Sequence, residues 1–108
     1  MSLYESTFII RQDLSESEAQ ATVDAFAKIV TDAGGKVIKA ENWGLRSLAY
    51  KINKSKKGHY RMLGIDASAE AIAEINRRAR LSEDVVRNLT IKVDEISKEP
   101  SAILKEAS

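Results

Sequence analysis

Cysteine is absent from this chain of 108 residues. That excludes a disulfide framework, a thiolate zinc site and a cysteine nucleophile, and it fits a reducing compartment. A single histidine, His59, excludes any pair of imidazoles that could share a metal or relay a proton. Long apolar runs are missing as well. No stretch approaches the roughly 20 residues of a membrane span, and Met1 to Arg11 lacks the basic-then-apolar order of a signal peptide. The expectation is a soluble protein of the cell interior, in which Asn53-Lys54-Ser55 and Asn88-Leu89-Thr90 are chance matches to the glycosylation pattern.

Phosphate-binding glycine loops are also missing, since Gly34-Gly35 stands where a helix should stop rather than in a G-x-G-x-x-G or Walker pattern. The acids are dispersed, and the adjacent pair Glu83-Asp84 falls at a turn, where carboxylates cap or solubilise. Nothing gathers a nucleophile, a base and an oxyanion site. Neither an enzyme nor a cofactor is expected.

What is present is a polarised charge. The chain carries a net +1, yet Lys36 to Arg61 holds eight basic residues against the one acid Glu41, a local +7. Such a chain offers one basic region to a polyanion without being basic overall.

Periodicity supplies the elements. Leu3 to Arg11 is short and rich in β-branched and aromatic residues, as a strand should be. Ser15-Glu16-Ser17-Glu18 is a capping box, followed by a helical stripe of Ala19, Val23, Phe26, Ala27, Val30 and Ala33 that Gly34-Gly35 ends. Lys36 to Ile52 alternates as a long strand, with Gly44 marking a bulge or bend. Polar residues from Asn53 to Gly58 close a hairpin, and Tyr60 to Ala67 returns. Ser68 caps a second helix with a stripe of Ala69, Ile72, Ile75 and Ala79, and Arg77, Arg78 and Arg80 in its last turn complement the helix dipole. Val85 to Val93 is a final strand. Residues 94–108 include Pro100, carry a net −2, and are expected to form a flexible C-terminal tail.

The order βαββαβ with right-handed crossovers predicts an α+β, ferredoxin-like sandwich over residues 1–93: a four-stranded antiparallel sheet with two helices on one face. The other face stays uncovered. In the last two strands both alternating sets contain large apolar or aromatic residues, so an exposed apolar patch is expected whichever set faces the helices. Lys57 to Gly64 is a natural place to look for the RNA-recognition motif of this topology. That motif requires aromatics at its third, fifth and often eighth places, where this chain has His59, Arg61 and Gly64. RNA binding would then proceed through phosphates, shape and partner surfaces rather than stacked bases.

Four clusters resemble the bacterial small-subunit ribosomal protein number six family. They are Leu3-Tyr4-Glu5; Trp43-Gly44-Leu45-Arg46 running through Leu48-Ala49-Tyr50 to Lys54; Gly58-His59-Tyr60; and Glu83-Asp84-Val85-Val86-Arg87. The central run, W-G-x-R-x-L-A-Y-x-I-x-K, is the specific one, and the resemblance spans residues 3 to 93. It implies a ferredoxin-like fold without enzymatic activity, located on the cytoplasmic ribosome. It also implies a heterodimer with the small-subunit ribosomal protein numbered eighteen that docks on the central domain of the small-subunit RNA. On that basis Lys54, Lys56, Lys57, Arg87 and Lys92 are expected to contact phosphates. Trp43, Leu45, Arg46, Leu48, Tyr60 and Met62 are expected to contact the partner protein. The alternative is a free-standing RNA-binding or translation-regulating domain of the same fold. An acyl-phosphate-cleaving domain fits poorly, because Arg11-Gln12-Asp13-Leu14 lacks the glycine of a phosphate cradle.

Overall fold

Ser15 and Glu18 exchange both hydrogen bonds of the capping box in the computed structural model, Ser15 N donating to Glu18 Oε1 at 2.9 Å and Glu18 N donating to Ser15 Oγ at 3.2 Å. They open α1 (Glu16–Asp32). The structure describes residues 1–52 and 55–101, with side chains at 48–56 excepted. Gly34 ends the helix with φ +83°, and the Gly35 N–H donates to the Val30 carbonyl at 2.9 Å. Glycine at 35 is imposed by packing, since a Cβ there would run into the Asp66 carbonyl oxygen.

Four strands complete the order: β1 (Ser2–Arg11), β2 (Lys36–Ile52), β3 (Ser55–Ala67) and β4 (Val85–Val93). Between β3 and β4 lies α2 (Ala69–Leu81), its N-cap Ser68 accepting from Ala71 N at 3.2 Å. The sheet is antiparallel throughout with strand order β2-β3-β1-β4, so the first and third strands are central as two right-handed crossovers require. Gly44 sits at a register shift between Asn42 and Gly44 with φ +80°, and the Asn42 side-chain oxygen accepts from its N–H at 2.8 Å. This is the bulge that the glycine announces.

The core lies between the sheet and both helices. Phe8 and Ile10 of β1, and Leu63, Ile65 and Ala67 of β3, meet Ala19, Val23, Phe26 and Val30 of α1 and Ala71, Ile75 and Ala79 of α2. Phe8 and Phe26 pack with ring centroids 4.7 Å apart at a tilt of 34°, an aromatic pairing that adds about 1 kcal/mol to simple burial. In α2 the buried stripe is Ala71, Ile75 and Ala79, rotated from the expected one. Ala69 is the first helical residue and exposed, while Ile72 packs at the rim. The buried stripe therefore starts at Ala71, the third helical residue, rather than at Ala69.

After β4 the chain makes contacts as far as it is described. Ile96 lies against Gly64, where an added Cβ would come 3.0 Å from the Ile96 Cγ2. Lys39 Nζ donates to the Glu99 carbonyl, and the Ser101 N–H and hydroxyl both donate to the Glu41 carboxylate. The expected tail is therefore joined to β2 and β3 up to Ser101.

Candidate functional site

Pairing register divides the sheet into two faces. Ser6, Phe8 and Ile10 of β1 are fully buried beneath the helices, so Thr7, Ile9 and their cross-strand partners occupy the open face. Those partners are Tyr60 and Met62 on β3 and Arg87 and Leu89 on β4. Ile91, opposite Glu5, continues the row. Leu89 and Ile91 are 55% and 52% exposed, a conspicuous loss of burial for two branched aliphatics side by side on one strand. Thr7, Ile9, Tyr60, Arg87 and Leu89 line a shallow cleft of about 230 Å³ on this face. The apolar β4 row thus points away from the core, and the polar row of Asn88, Thr90 and Lys92 points to the helix side.

On β2 the same face carries Glu41 opposite Met62, Gly44 opposite Tyr60 and Arg46 opposite Gly58. Trp43, in the bulge, donates through Nε1 to Glu41 Oε1 at 3.0 Å, and Arg46 Nε donates to the Trp43 carbonyl at 2.8 Å. Burial works against ionisation of Glu41, but hydrogen bonds from the Ser101 hydroxyl, Trp43 and the Ser101 N–H, with Lys39 at 3.5 Å, outweigh it and hold the carboxyl below its ordinary value. One rim of the open face is therefore an internally satisfied polar cluster, and the other is bare and apolar.

The family model described as ribosomal protein S6 matches residues 3–92. The chain belongs to the ribosomal protein S6 family. Curated relatives named small ribosomal subunit protein bS6 from Rickettsia prowazekii and Rickettsia felis are 55% and 54% identical over 108 residues, covering all of this chain and 89% of each relative. The crystal structure of 30S ribosomal protein S6 from Thermotoga maritima superposes with a TM-score of 0.79 at 29% identity, over 85% of this chain and 87% of that one. An Arabidopsis thaliana protein, 12% identical with a TM-score of 0.52, covers 93% of this chain and all of its own, and shares the fold alone. Membership makes this a small-subunit ribosomal protein, structural in role and not an enzyme.

Among the residues expected to meet a partner of this family member, Trp43, Arg46 and Tyr60 share the open face. Leu45 does not: it lies opposite His59 on the helix side, 44% exposed. Met62 points to the open face but is only 2% exposed, so it offers a partner almost no surface. The Leu48 side chain lies outside the described residues. Of the expected phosphate ligands, Arg87 lies on the open-face row and Lys92, opposite Tyr4, on the helix side; Lys57 is exposed opposite Ser47. Lys54 and the Lys56 side chain lie outside the described residues.

Two polar side chains of β3 are interior. His59 is 4% exposed with Nε2 2.8 Å from the Leu14 carbonyl. Arg61, counted in the basic stretch, is 1% exposed and donates to Glu16 Oε2 at 2.7 Å. Both face the helix side, so neither can stack on a base. With Lys39 drawn to Glu41 at 3.5 Å, the hairpin region presents less positive charge than its composition suggests. Parity groups His59 and Arg61 with Leu63 and Ile65 on one side of the strand, and the structure shows that side to be the core.

Proposed function

We propose that this protein binds the central-domain RNA of the small ribosomal subunit jointly with the small-subunit ribosomal protein numbered eighteen, the latter seated on the open sheet face. The observation that carries the reading is the inverted β4, which turns Leu89 and Ile91 outward at more than half exposure. A strand that lends its apolar row to solvent loses hydrophobic stabilisation, about 25 cal/mol for each Å² left wet, which a protein partner restores on docking. Tyr60, Trp43 and Arg46 would frame that contact, aromatic and arginine side chains being the residue types that dominate protein interfaces. Lys57, Arg87 and Lys92 would meet phosphates, with Lys54 and Lys56 at the hairpin.

Filter retention of a central-domain RNA fragment tests this, with the protein alone and with its partner, at two salt concentrations. Weak binding alone and tight, salt-sensitive binding with the partner is the expected result, each neutralised phosphate adding about 0.9 to the log–log salt slope. Equally tight binding alone would favour a free-standing RNA-binding domain. No binding in either condition would sink the proposal.

A further inference from the structure

β4 is an edge strand, and its helix-side row is polar: Asn88, Thr90 and Lys92 lie opposite Phe8, Ser6 and Tyr4. Two of these polar groups are consumed internally. The Asn88 amide donates to Ser6 Oγ and the Thr7 carbonyl, each at 3.1 Å, and the Thr90 hydroxyl lies 2.8 Å from Ser6 Oγ. Because this row is polar, α2 does not close over it, and an open groove of about 590 Å³ remains between α2 and β4. Its lining is Asn76, Ala79 and Arg80 of α2 with residues 85–90 of β4, polar and apolar side chains mixed, and it includes no acidic side chain.

The three arginines at the end of α2 differ in what they face. Arg77 Nε lies 2.6 Å from Glu74 Oε1 and an Arg78 nitrogen 3.5 Å from Glu74 Oε2, so one carboxylate holds both. Arg80 lines the groove and has no ion pair among the described residues. Lys92, further along β4, is likewise exposed without one. From Asn88 to Lys92 the helix-side row advances about 13 Å at ~3.3 Å per residue, longer than any single phosphate group. The free edge of β4 adds outward backbone N–H donors along that length.

We infer that the α2–β4 groove is a track for an RNA sugar-phosphate backbone, with Arg80 as a phosphate ligand, rather than a site for a small anion or a protein. A guanidinium unopposed by carboxylate, beside Asn88, Thr90 and an open strand edge, matches a phosphate chain in charge and hydrogen-bonding sense. The apolar row of the same strand opens on the other face, and the two surfaces meet at Arg87 and Leu89, which line both clefts. This rests on the RNA-binding function proposed above.

The test compares wild type, Arg80→Gln, Lys92→Gln and the carboxylate-held Arg77→Gln in filter retention of central-domain RNA with the partner protein present, across a salt series. Partner affinity without RNA is measured alongside. Arg80→Gln is expected to weaken RNA binding about tenfold and to flatten the salt slope by about 0.9, with Lys92→Gln acting in the same direction. Arg77→Gln should stay within about twofold, and partner affinity should not move. If wild type binds tightly and Arg80→Gln and Lys92→Gln match it, the groove assignment is overturned while the RNA-binding function stands. Loss of partner affinity in Arg80→Gln would assign the groove to protein and overturn the inference equally. Failure of wild type to bind would remove the functional reading itself.

Discussion

Arg61 and Glu16 meet at 2.7 Å between β3 and the first turn of α1, the guanidinium 1% exposed and the carboxylate 62% exposed. Asn42 Nδ2 and His59 Nδ1 also approach the Glu16 carboxylate, both at 3.5 Å. The desolvation cost of this pair falls almost wholly on the arginine, which depends on an anion at the rim of the core for its compensation. Although its partial desolvation opposes this, Arg61 and, secondarily, Asn42 and His59 hold the Glu16 carboxyl below its ordinary value.

Removing the anion leaves a buried cation without its partner. Glu16→Ala should lower stability by about 1–3 kcal/mol in urea unfolding, whereas the same change in an Arg61→Met background should cost far less. A coupling energy under about 0.5 kcal/mol in that double-mutant cycle would show that the pair contributes nothing to the fold.

Acid should release the segment after β4. The folded Glu41 carboxyl titrates below its ordinary value near 4.5, so its contribution to stability is complete above that value and is lost as pH falls through the lower folded one. Unfolding followed from pH 7 to pH 3 should show a shallower loss for Glu41→Gln than for wild type, starting from a lower stability at neutral pH. Glu16, Glu18 and Glu74, also lowered, contribute the same sign in both proteins. Parallel pH profiles for the two proteins would count against the Glu41 contribution.

The two structurally demanding glycines should respond differently to alanine. Gly44→Ala has open space but a φ of +80°, and should cost about 1–2 kcal/mol. Gly35→Ala meets backbone rather than a side chain, at the Asp66 carbonyl and at Val30, and should cost more than Gly44→Ala by thermal melting. The reverse order would mean that β3 yields easily beside α1.

Polar replacements on the bare row should separate folding from assembly. Leu89→Ser and Ile91→Ser should change the stability of the isolated protein by no more than about 0.5 kcal/mol, as exposed positions do. Partner-dependent RNA binding should weaken in both. Unchanged joint binding would move the partner off this face.

Much of this was legible along the chain because its signals are local. Ser15 and Glu18 are three residues apart, and Gly34-Gly35 follows the last apolar position of its helix, so the caps and ends of α1 could be read without knowing what it packs against. The W-G-x-R segment identified the family for the same reason. The burial of His59 and Arg61 was not legible, because burial of a polar side chain depends on a remote compensating group. For Arg61 that group is Glu16, 45 residues away, and for His59 it is the Leu14 carbonyl. Nothing in the residue types of β3 announces either one.

The sequence by itself determined the type and order of the elements, and through the handedness of the crossovers the strand order β2-β3-β1-β4. Which row of β4 faces solvent was decided only by tertiary structure. Alternation at a period of two is unchanged when the faces are exchanged, so Leu89 and Ile91 could have been core and Asn88 and Thr90 surface. Register against β1, where Ser6 and Phe8 lie beneath the helices, removed that ambiguity and turned the apolar row outward.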